Sequence, residues 1–359
     1  FYAAVIKEDR VIFQKAYGWA DVDNKVAFSS QSQINIASIS KTFIGLSLMK
    51  LVEAGKLKWG TKINEVLSFP VNHPKFPNIP LTIQHLATHT SGIYDYEIEY
   101  KSVYLQEGLT LEKSQVDKET YGYFARWAEN QKLDLESFLK EALLPEGKYY
   151  AKKRFTKEAP GAKYLYSNLG AALGALLVEK VSNLAYEQFV REKILTPLDL
   201  NGTYWRHRGK EPAQEAKGYF QNGTLVPQYQ SILYPSGGLM ASGEDLSKYL
   251  MEILKGYQGK SRFLPQEAWQ EMLAPQLDKI QKAEENEKNV GRFWEINGPN
   301  VGHNGGNYGT TCFMWMNPKK ASARIFLCNI SSYEDRALIP QMLKIWRALT
   351  SFEESLAKN

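Results

Sequence analysis

Cysteine is nearly missing from this chain: two residues in 359, Cys312 and Cys328. That is too few for a disulfide framework, and they lie too far apart for a CxxC metal or redox pair. They read as two buried thiols, with a position facing each other across a hairpin as the alternative. Long apolar runs are missing too. The longest candidate, 169–178, is stopped by Glu179 and Lys180, well short of the ~18 residues of a membrane span. Charge of one sign is not in excess: 44 Lys and Arg against 39 Asp and Glu leave a net +5, spread along the chain without a run of five basic residues. No nucleic-acid partner is expected from that balance. An initiator Met and a signal-peptide pattern are both absent at Phe1, where the chain opens directly in a strand-like segment. An upstream piece is expected to have been removed, and the compartment is not written in what remains.

Several chemistries are also missing. His85 and His89 have the i, i+4 spacing of a helical zinc pair, but the zincin pattern needs Glu at position 86, which is Leu. With His73, His207 and His303 they complete the five histidines, and a structural hydrogen-bonding role is the simpler reading. Each Gly-Lys pair (Gly55-Lys56, Gly147-Lys148, Gly259-Lys260) lacks a Gly five residues earlier, so there is no Walker loop. No GxGxxG follows a strand, and the GxSxG nucleophile elbow is absent. Neither metal nor cofactor is expected.

What is present is an ordinary globular composition, 43% hydrophobic and 23% charged. Its length suits one large or two intimately packed domains. Aromatic residues reach 13%, with 21 Tyr, 16 Phe and 8 Trp. Segments 1–6 and 11–19 are rich in β-branched and aromatic residues and read as a hairpin around Glu8-Asp9-Arg10. From Ser38 the period becomes helical, with Ile39, Phe43, Leu46, Met49 and Val52 on one face and Gly55 as a C-terminal cap. A short helix over 81–87 runs into the turn Thr88-His89-Thr90-Ser91-Gly92. Residues 97–158 are charged, aromatic and mostly helical in period, clearest over 121–130 and 135–144. An amphipathic helix follows Pro160-Gly161, with Leu169, Leu173, Leu176, Leu177 and Val181 on one face. Another helix covers 245–254. Strands return at 292–296, 310–316 and 324–330, with Asn317-Pro318-Lys319-Lys320 as a turn, and 337–349 is a last helix.

Strands at both ends with helices between imply that the ends pair into one sheet. The expected fold class is α+β, an antiparallel sheet flanked by helices plus a mostly helical inserted part. Residues 1–60 and 231–359 would form the sheet domain and 61–230 the helical one, with the active site in the cleft between.

A Ser-x-x-Lys tetrad supplies the candidate chemistry. On a helix, i and i+3 are neighbours, so an amine lies beside a hydroxyl. A Lys that loses its proton in a desolvated site can accept the Ser proton. The tetrad occurs four times: Ser38–Lys41, Ser47–Lys50, Ser137–Lys140 and Ser355–Lys358. Ser38 differs in opening its helix, where backbone N–H groups and the dipole favour developing negative charge. The plain alternative is a helix-start serine. Tyr166-Ser167-Asn168 is the single Tyr-x-Asn in the chain, and its plain alternative is a cap for the following helix. His303-Asn304-Gly305-Gly306 precedes a strand, and could be no more than a glycine-rich bulge.

The order and separation of these three elements resemble the serine β-lactamase and penicillin-binding protein superfamily. The Tyr-x-Asn form is similar to the class C β-lactamase-like branch, with its family VIII esterases, D-aminopeptidases and D,D-carboxypeptidases. The segments 86–93, Pro160-Gly161, 236–240 and Glu244-Asp245-Leu246 carry the same likeness, which covers nearly the whole chain apart from the family's N-terminal helix. The resemblance implies a β-lactamase/transpeptidase-like fold and a serine hydrolase acting through an acyl-enzyme on esters or on peptide or amide bonds. Ser38 would be the nucleophile, Lys41 and Tyr166 the base system, and Asn168 a holder of the substrate's amide or carbonyl. The N–H groups of Ser38 and Gly306 would form the oxyanion hole, and Gly305 would allow close approach of substrate.

The sequence departs from the pattern at His303-Asn304, where true β-lactamases carry Lys-Thr-Gly or Lys-Ser-Gly. A mostly neutral imidazole and an amide should hold a β-lactam carboxylate poorly. His303 could instead hydrogen-bond near Tyr166 and tune the base. A class C-type β-lactamase or penicillin-binding protein, and a catalytically silent binding protein on the same scaffold, are the alternatives. The expected partner is a small ester, peptide or β-lactam-like molecule. By resemblance the location is periplasmic or secreted. Tyrosines 94, 96, 100, 104, 121, 123, 149 and 150 could rim the cleft or simply pack the helical part.

Overall fold

A computed structural model describes residues 1–106, 110–206, 214–278, 289–331 and 337–356. His207 and Lys358 lie outside these. The two ends of the chain do meet. Strands β1 (Tyr2–Lys7), β2 (Arg10–Ala16), β3 (Asn289–Val290), β4 (Glu295–Asn297), β5 (Asn300–Asn307), β6 (Thr310–Asn317) and β7 (Ser322–Cys328) form one antiparallel sheet in the order β3-β4-β5-β6-β7-β1-β2. Tyr2 lies opposite Leu327, and Lys7 opposite Ser322. The β6–β7 hairpin turns where expected, Asn317 Oδ1 accepting the Lys320 N–H at 3.1 Å.

Both faces of this sheet are covered, which explains why all seven residues of β7 are buried. Tyr2, Ala4 and Ile6 join Ile325 and Leu327 in the main core. The intervening Ala3, Val5, Phe326 and Cys328 form a second cluster with Met342 and Leu349 of the last helix, Ile339–Ser355. The period of two along each strand decides which cluster a residue joins. It also separates the cysteines. Cys312 pairs with Leu327 and Thr311 with Cys328, so neighbouring register positions send the two thiols to opposite faces. They do not face each other; both are free and buried.

Of the helices α1 (Lys41–Glu53), α2 (Lys118–Glu129), α3 (Leu135–Leu143), α4 (Asn168–Ser182) and α5 (Gly243–Tyr257), all but α2 join the main core on the inner side, and Phe124 and Trp127 of α2 pack in a separate cluster with Phe220 and Val226. Their starts have side-chain caps where polar residues allow: Asp117, Asp134, Ser167 and Ser242 each accept an N–H from the first turn. The expectation of an amphipathic α4 fails. Residues 169–178 are buried on every side, because α4 is central, packed against α1, α3 and the turn at 234–236. An all-round apolar helix is what such a position requires. The α1 side is equally tight. A Cβ at Gly45 would stand 2.3 Å from the Arg292 carbonyl oxygen, so only glycine fits.

Of the eight tyrosines of the middle region, Tyr94 is exposed and the other seven are half-buried. Tyr100 stacks on Tyr123 with centroids 4.9 Å apart, and Tyr149 rests on Phe138 at 5.7 Å. None of the eight lines the catalytic cleft.

Candidate active site

The chain reaches the candidate nucleophile through a forced turn. Ala37, just before Ser38, sits in the left-handed region at φ 46°, where a side chain is uncommon. Its N–H is held by Asn35 Oδ1 at 3.0 Å. Ser38 then lies in one turn of 3-10 helix, Ala37–Ser40, before α1 begins at Lys41. Ser38 therefore precedes the α-helix proper instead of opening it. The tighter turn eclipses i and i+3, and Lys41 Nζ donates to Ser38 Oγ at 3.1 Å.

Lys41 is fully buried. Its ammonium donates to the Ser236 carbonyl at 2.6 Å and lies 4.8 Å above the Tyr166 ring. Burial pulls its pKa from 10.5 down to about 7, although the carboxylates of Asp95, Glu99 and Glu295 pull the other way. The Tyr166 hydroxyl faces the same cleft as Ser38 and interacts with it. Burial pushes its hydroxyl well above 10; Ser38 opposes, and Glu295, Tyr164 and Asp95 add smaller upward pushes. Near neutral pH the site thus holds a partly free amine beside a phenol that keeps its proton.

His303 and Gly305 share the inner face of β5 by the strand period, and Asn304 and Gly306 the outer. A Cβ at Gly305 would meet the Ile36 carbonyl oxygen at 2.2 Å, so β5 and the Ser38 turn touch backbone to backbone. Gly306 lines the same cleft as Ser38. His303 is buried, and burial lowers its pKa, keeping the ring neutral. Its Nδ1 lies 2.6 Å from its neighbour's carbonyl, so that nitrogen carries the proton and Nε2 is left as an acceptor. The ring is 6.1 Å from that of Tyr166, centroid to centroid. The hydrogen bond expected near Tyr166 is thus made to the Asn304 carbonyl. Asn304 is exposed, its Oδ1 accepting from Trp315 Nε1 at 2.8 Å.

Tyr166-Ser167-Asn168 combines both expected roles. Ser167 caps α4, accepting the Gly170 N–H at 2.9 Å. Asn168 donates from Nδ2 to Glu99 at 2.9 Å. The segment is held by two residues that motif reasoning passed over. Asp95 accepts from Ser167 Oγ at 2.8 Å, from the Asn168 N–H at 2.5 Å and from the Leu169 N–H at 3.0 Å, which places a carboxylate at the positive end of α4. His89, for which a structural hydrogen-bonding role was the simpler reading, accepts the Ser167 N–H on Nδ1 at 3.2 Å, and its carbonyl accepts the Leu165 N–H. Its ring lies 4.7 Å from that of Tyr166 and 5.4 Å from Phe293. Both His89 and Phe293 have positive φ, 54° and 62°. His85 serves instead as the third residue of a capping box with Thr82. No group of three metal-ligating side chains occurs among the described residues. The sequence signal for His89 was its polar turn between apolar runs; nothing comparable marked Asp95 or Glu99.

An open cleft of about 470 Å³ joins Ser38, Tyr166 and His303 to Phe313 and to Ile339, Met342 and Leu343 of the last helix. A Ser–Lys–Tyr cluster beside an antiparallel strand defines the serine β-lactamase and penicillin-binding protein superfamily, a class that is generally one of serine hydrolases. A model of the beta-lactamase family matches residues 1–344, and the chain belongs to that family. It is similar to the octameric penicillin-binding protein homologue from Pyrococcus abyssi, at 26% identity and a TM-score of 0.67 over 93% of this chain and 70% of that one. A penicillin-binding protein from Bacillus halodurans shares the fold, with a TM-score of 0.65 at 22% identity and 95% of each chain covered. Protein flp of Staphylococcus aureus strain MW2 is 25% identical over 340 residues, 91% of this chain and 59% of that protein. The human mitochondrial serine beta-lactamase-like protein LACTB is 26% identical over 295 residues, 70% of this chain and 52% of that one. The chain spans between half and three fifths of these two relatives.

Proposed function

We propose that this chain hydrolyses esters or peptide and amide bonds through an acyl-enzyme on Ser38. One observation carries the reading: Lys41 Nζ lies 3.1 Å from Ser38 Oγ while burial brings its pKa to about 7. In acylation, neutral Lys41 takes the Ser38 proton as Oγ attacks the carbonyl carbon. The ammonium so formed then supplies the proton with which the amine or alcohol departs. Water, deprotonated in the same way, releases the acyl group. Tyr166 acts as a phenol that hydrogen-bonds at Ser38, since its raised pKa disfavours phenolate. The Ser38 and Gly306 N–H groups stabilise the oxyanion, each worth about 3 kcal/mol in comparable acyl transfers. Gly305 keeps the strand backbone close, Asn304 lines the cleft, and Asn168, which reaches Glu99 and not the cleft wall, is assigned to the substrate's amide or carbonyl.

A β-lactamase or penicillin-binding activity is the second reading, favoured by the names of the structural relatives. It is weakened by the neutral His303 and Asn304 where a carboxylate would need a cation. A silent scaffold is the third. The reading further proposes two parts, residues 1–60 with 231–359 and residues 61–230, a periplasmic or secreted location, and small acyl compounds as partners. A fluorophosphonate probe is expected to label Ser38, and a panel of p-nitrophenyl esters, D-amino-acid peptides and nitrocefin ranks the substrates. Failure to label Ser38 in folded protein would leave the silent scaffold as the better reading.

A further inference from the structure

Glu295 begins β4, and its partner across the ladder is Gly302. The β4–β5 pairing ends there, so from His303 onward the edge of β5 is open toward the cleft. Glu295 lines that cleft together with Ser38, Tyr166 and His303. Other carboxylates nearby are committed: Asp95 to the start of α4, Glu99 to Asn168, Glu271 to Arg292. The Glu295 carboxylate has no hydrogen bond or ion pair with any described residue. Among the described residues no lysine or arginine lines the cleft, and Lys41 is buried. Among them the cleft lining therefore holds one carboxylate, that of Glu295, and no exposed cation; the buried Lys41 amine feels that carboxylate without forming an ion pair with it. A carboxylate at the rim of a low-dielectric cleft attracts a positive group and repels a negative one far more than it would in water.

We propose that Glu295 is a specificity residue that receives an ammonium group, so that the preferred substrates are acyl compounds carrying a protonated amine. The inference rests on the acyl-enzyme reading of the same cleft. The ammonium pairs with Glu295 at the open end of β5, and the apolar remainder of the substrate lies over Phe313, Ile339, Met342 and Leu343.

Three arylboronic acids that differ only in charge test this without a known substrate: 3-(aminomethyl)phenylboronic, phenylboronic and 3-carboxyphenylboronic acid. Each adds reversibly to a serine oxygen, and protection of Ser38 from a fluorophosphonate probe reads its affinity. The cationic compound is expected to protect at a concentration at least tenfold below the anionic one, with the neutral compound between. Glu295→Gln should narrow the cation-to-anion ratio to within about twofold, and Glu295→Lys should reverse its order. An influence of Glu295 on Lys41 alone would move all three compounds together and leave the ratio untouched. A native ratio near one, or a ratio unchanged in Glu295→Gln, overturns the proposal while Ser38 labelling keeps the hydrolase reading. Absence of labelling in the native protein removes both.

Discussion

One continuous stretch of chain carries the same tetrad twice, nine residues apart, and the two ends differ in nearly everything else. At Ser38–Lys41 the amine is fully buried, touches the hydroxyl at 3.1 Å and has its pKa drawn down to about 7. At Ser47–Lys50 the hydroxyl donates back to the Phe43 carbonyl at 2.7 Å, as serines inside helices do. Lys50 is only half-buried, 3.8 Å above the Phe263 ring, its amine reaching the Phe263 carbonyl at 3.5 Å. Burial lowers its pKa as well, with Lys193 adding to the effect. The tetrad supplies proximity in principle. The Ala37 turn and the closed wall at Ser236 make it chemistry at one end, and ordinary α-helix makes it packing at the other. The third tetrad supports this: Ser137 bonds its cap Asp134, and Lys140 pairs with half-buried Glu136.

That contrast can be broken most severely at the hydroxyls. Ser38→Ala is expected to abolish turnover of a p-nitrophenyl acyl ester, a loss of at least about 10⁴-fold, while Ser47→Ala stays within about twofold of native. Substantial residual turnover in Ser38→Ala would sink the assignment. Next come the amines: Lys41→Met should cost about 10²–10⁴-fold in kcat/KM, and Lys50→Met almost nothing. A native kcat/KM profile should rise with pH through about 7 as Lys41 loses its proton, then level. Tyr166→Phe should lower the rate without moving that rise. A rise displaced by more than a unit in Tyr166→Phe would transfer the base role to the phenol. His89→Asn should lower kcat by about tenfold, with KM and the pH midpoint nearly unchanged, because His89 positions Tyr166 and does not exchange protons. A shifted midpoint would contradict that role.

The smallest effect is on stability. Lys41 has a lower pKa folded than unfolded, so its burial weighs against folding most fully below pH 7 and fades as pH rises toward 10.5. Lys41→Met is expected to stabilise the protein by about 1–2 kcal/mol at pH 6, with the gain shrinking at pH 9. Denaturant titrations at the two pH values check the sign.

Much of this fold was legible in residue patterns. The terminal hairpin, the β6–β7 turn and the meeting of the two chain ends followed from local rules that tertiary packing left alone. The helix at 168–182 did not, because periodicity cannot register a helix buried on all sides by neighbours distant in sequence. The cysteines misled for a similar reason: one residue of register decides the face. Spacing and order singled out Ser38, Lys41 and Tyr166, which the fold brings together. His89 was marked only by its polar turn, and Asp95 and Glu99 were invisible because each acts as a single side chain that carries no repeat. Glu295 looked like any charged residue in a strand until the ladder showed where β4 stops.

The central claim is that burial frees the Lys41 amine near neutral pH. Its most direct test is an NMR titration of lysine Nζ and Cε signals in the folded Ser38→Ala protein, with Lys41 assigned by its loss in Lys41→Met and Lys50 as the reference within the same helix. The account predicts a Lys41 midpoint near 7, clearly below that of Lys50. A Lys41 midpoint level with that of Lys50 would contradict it.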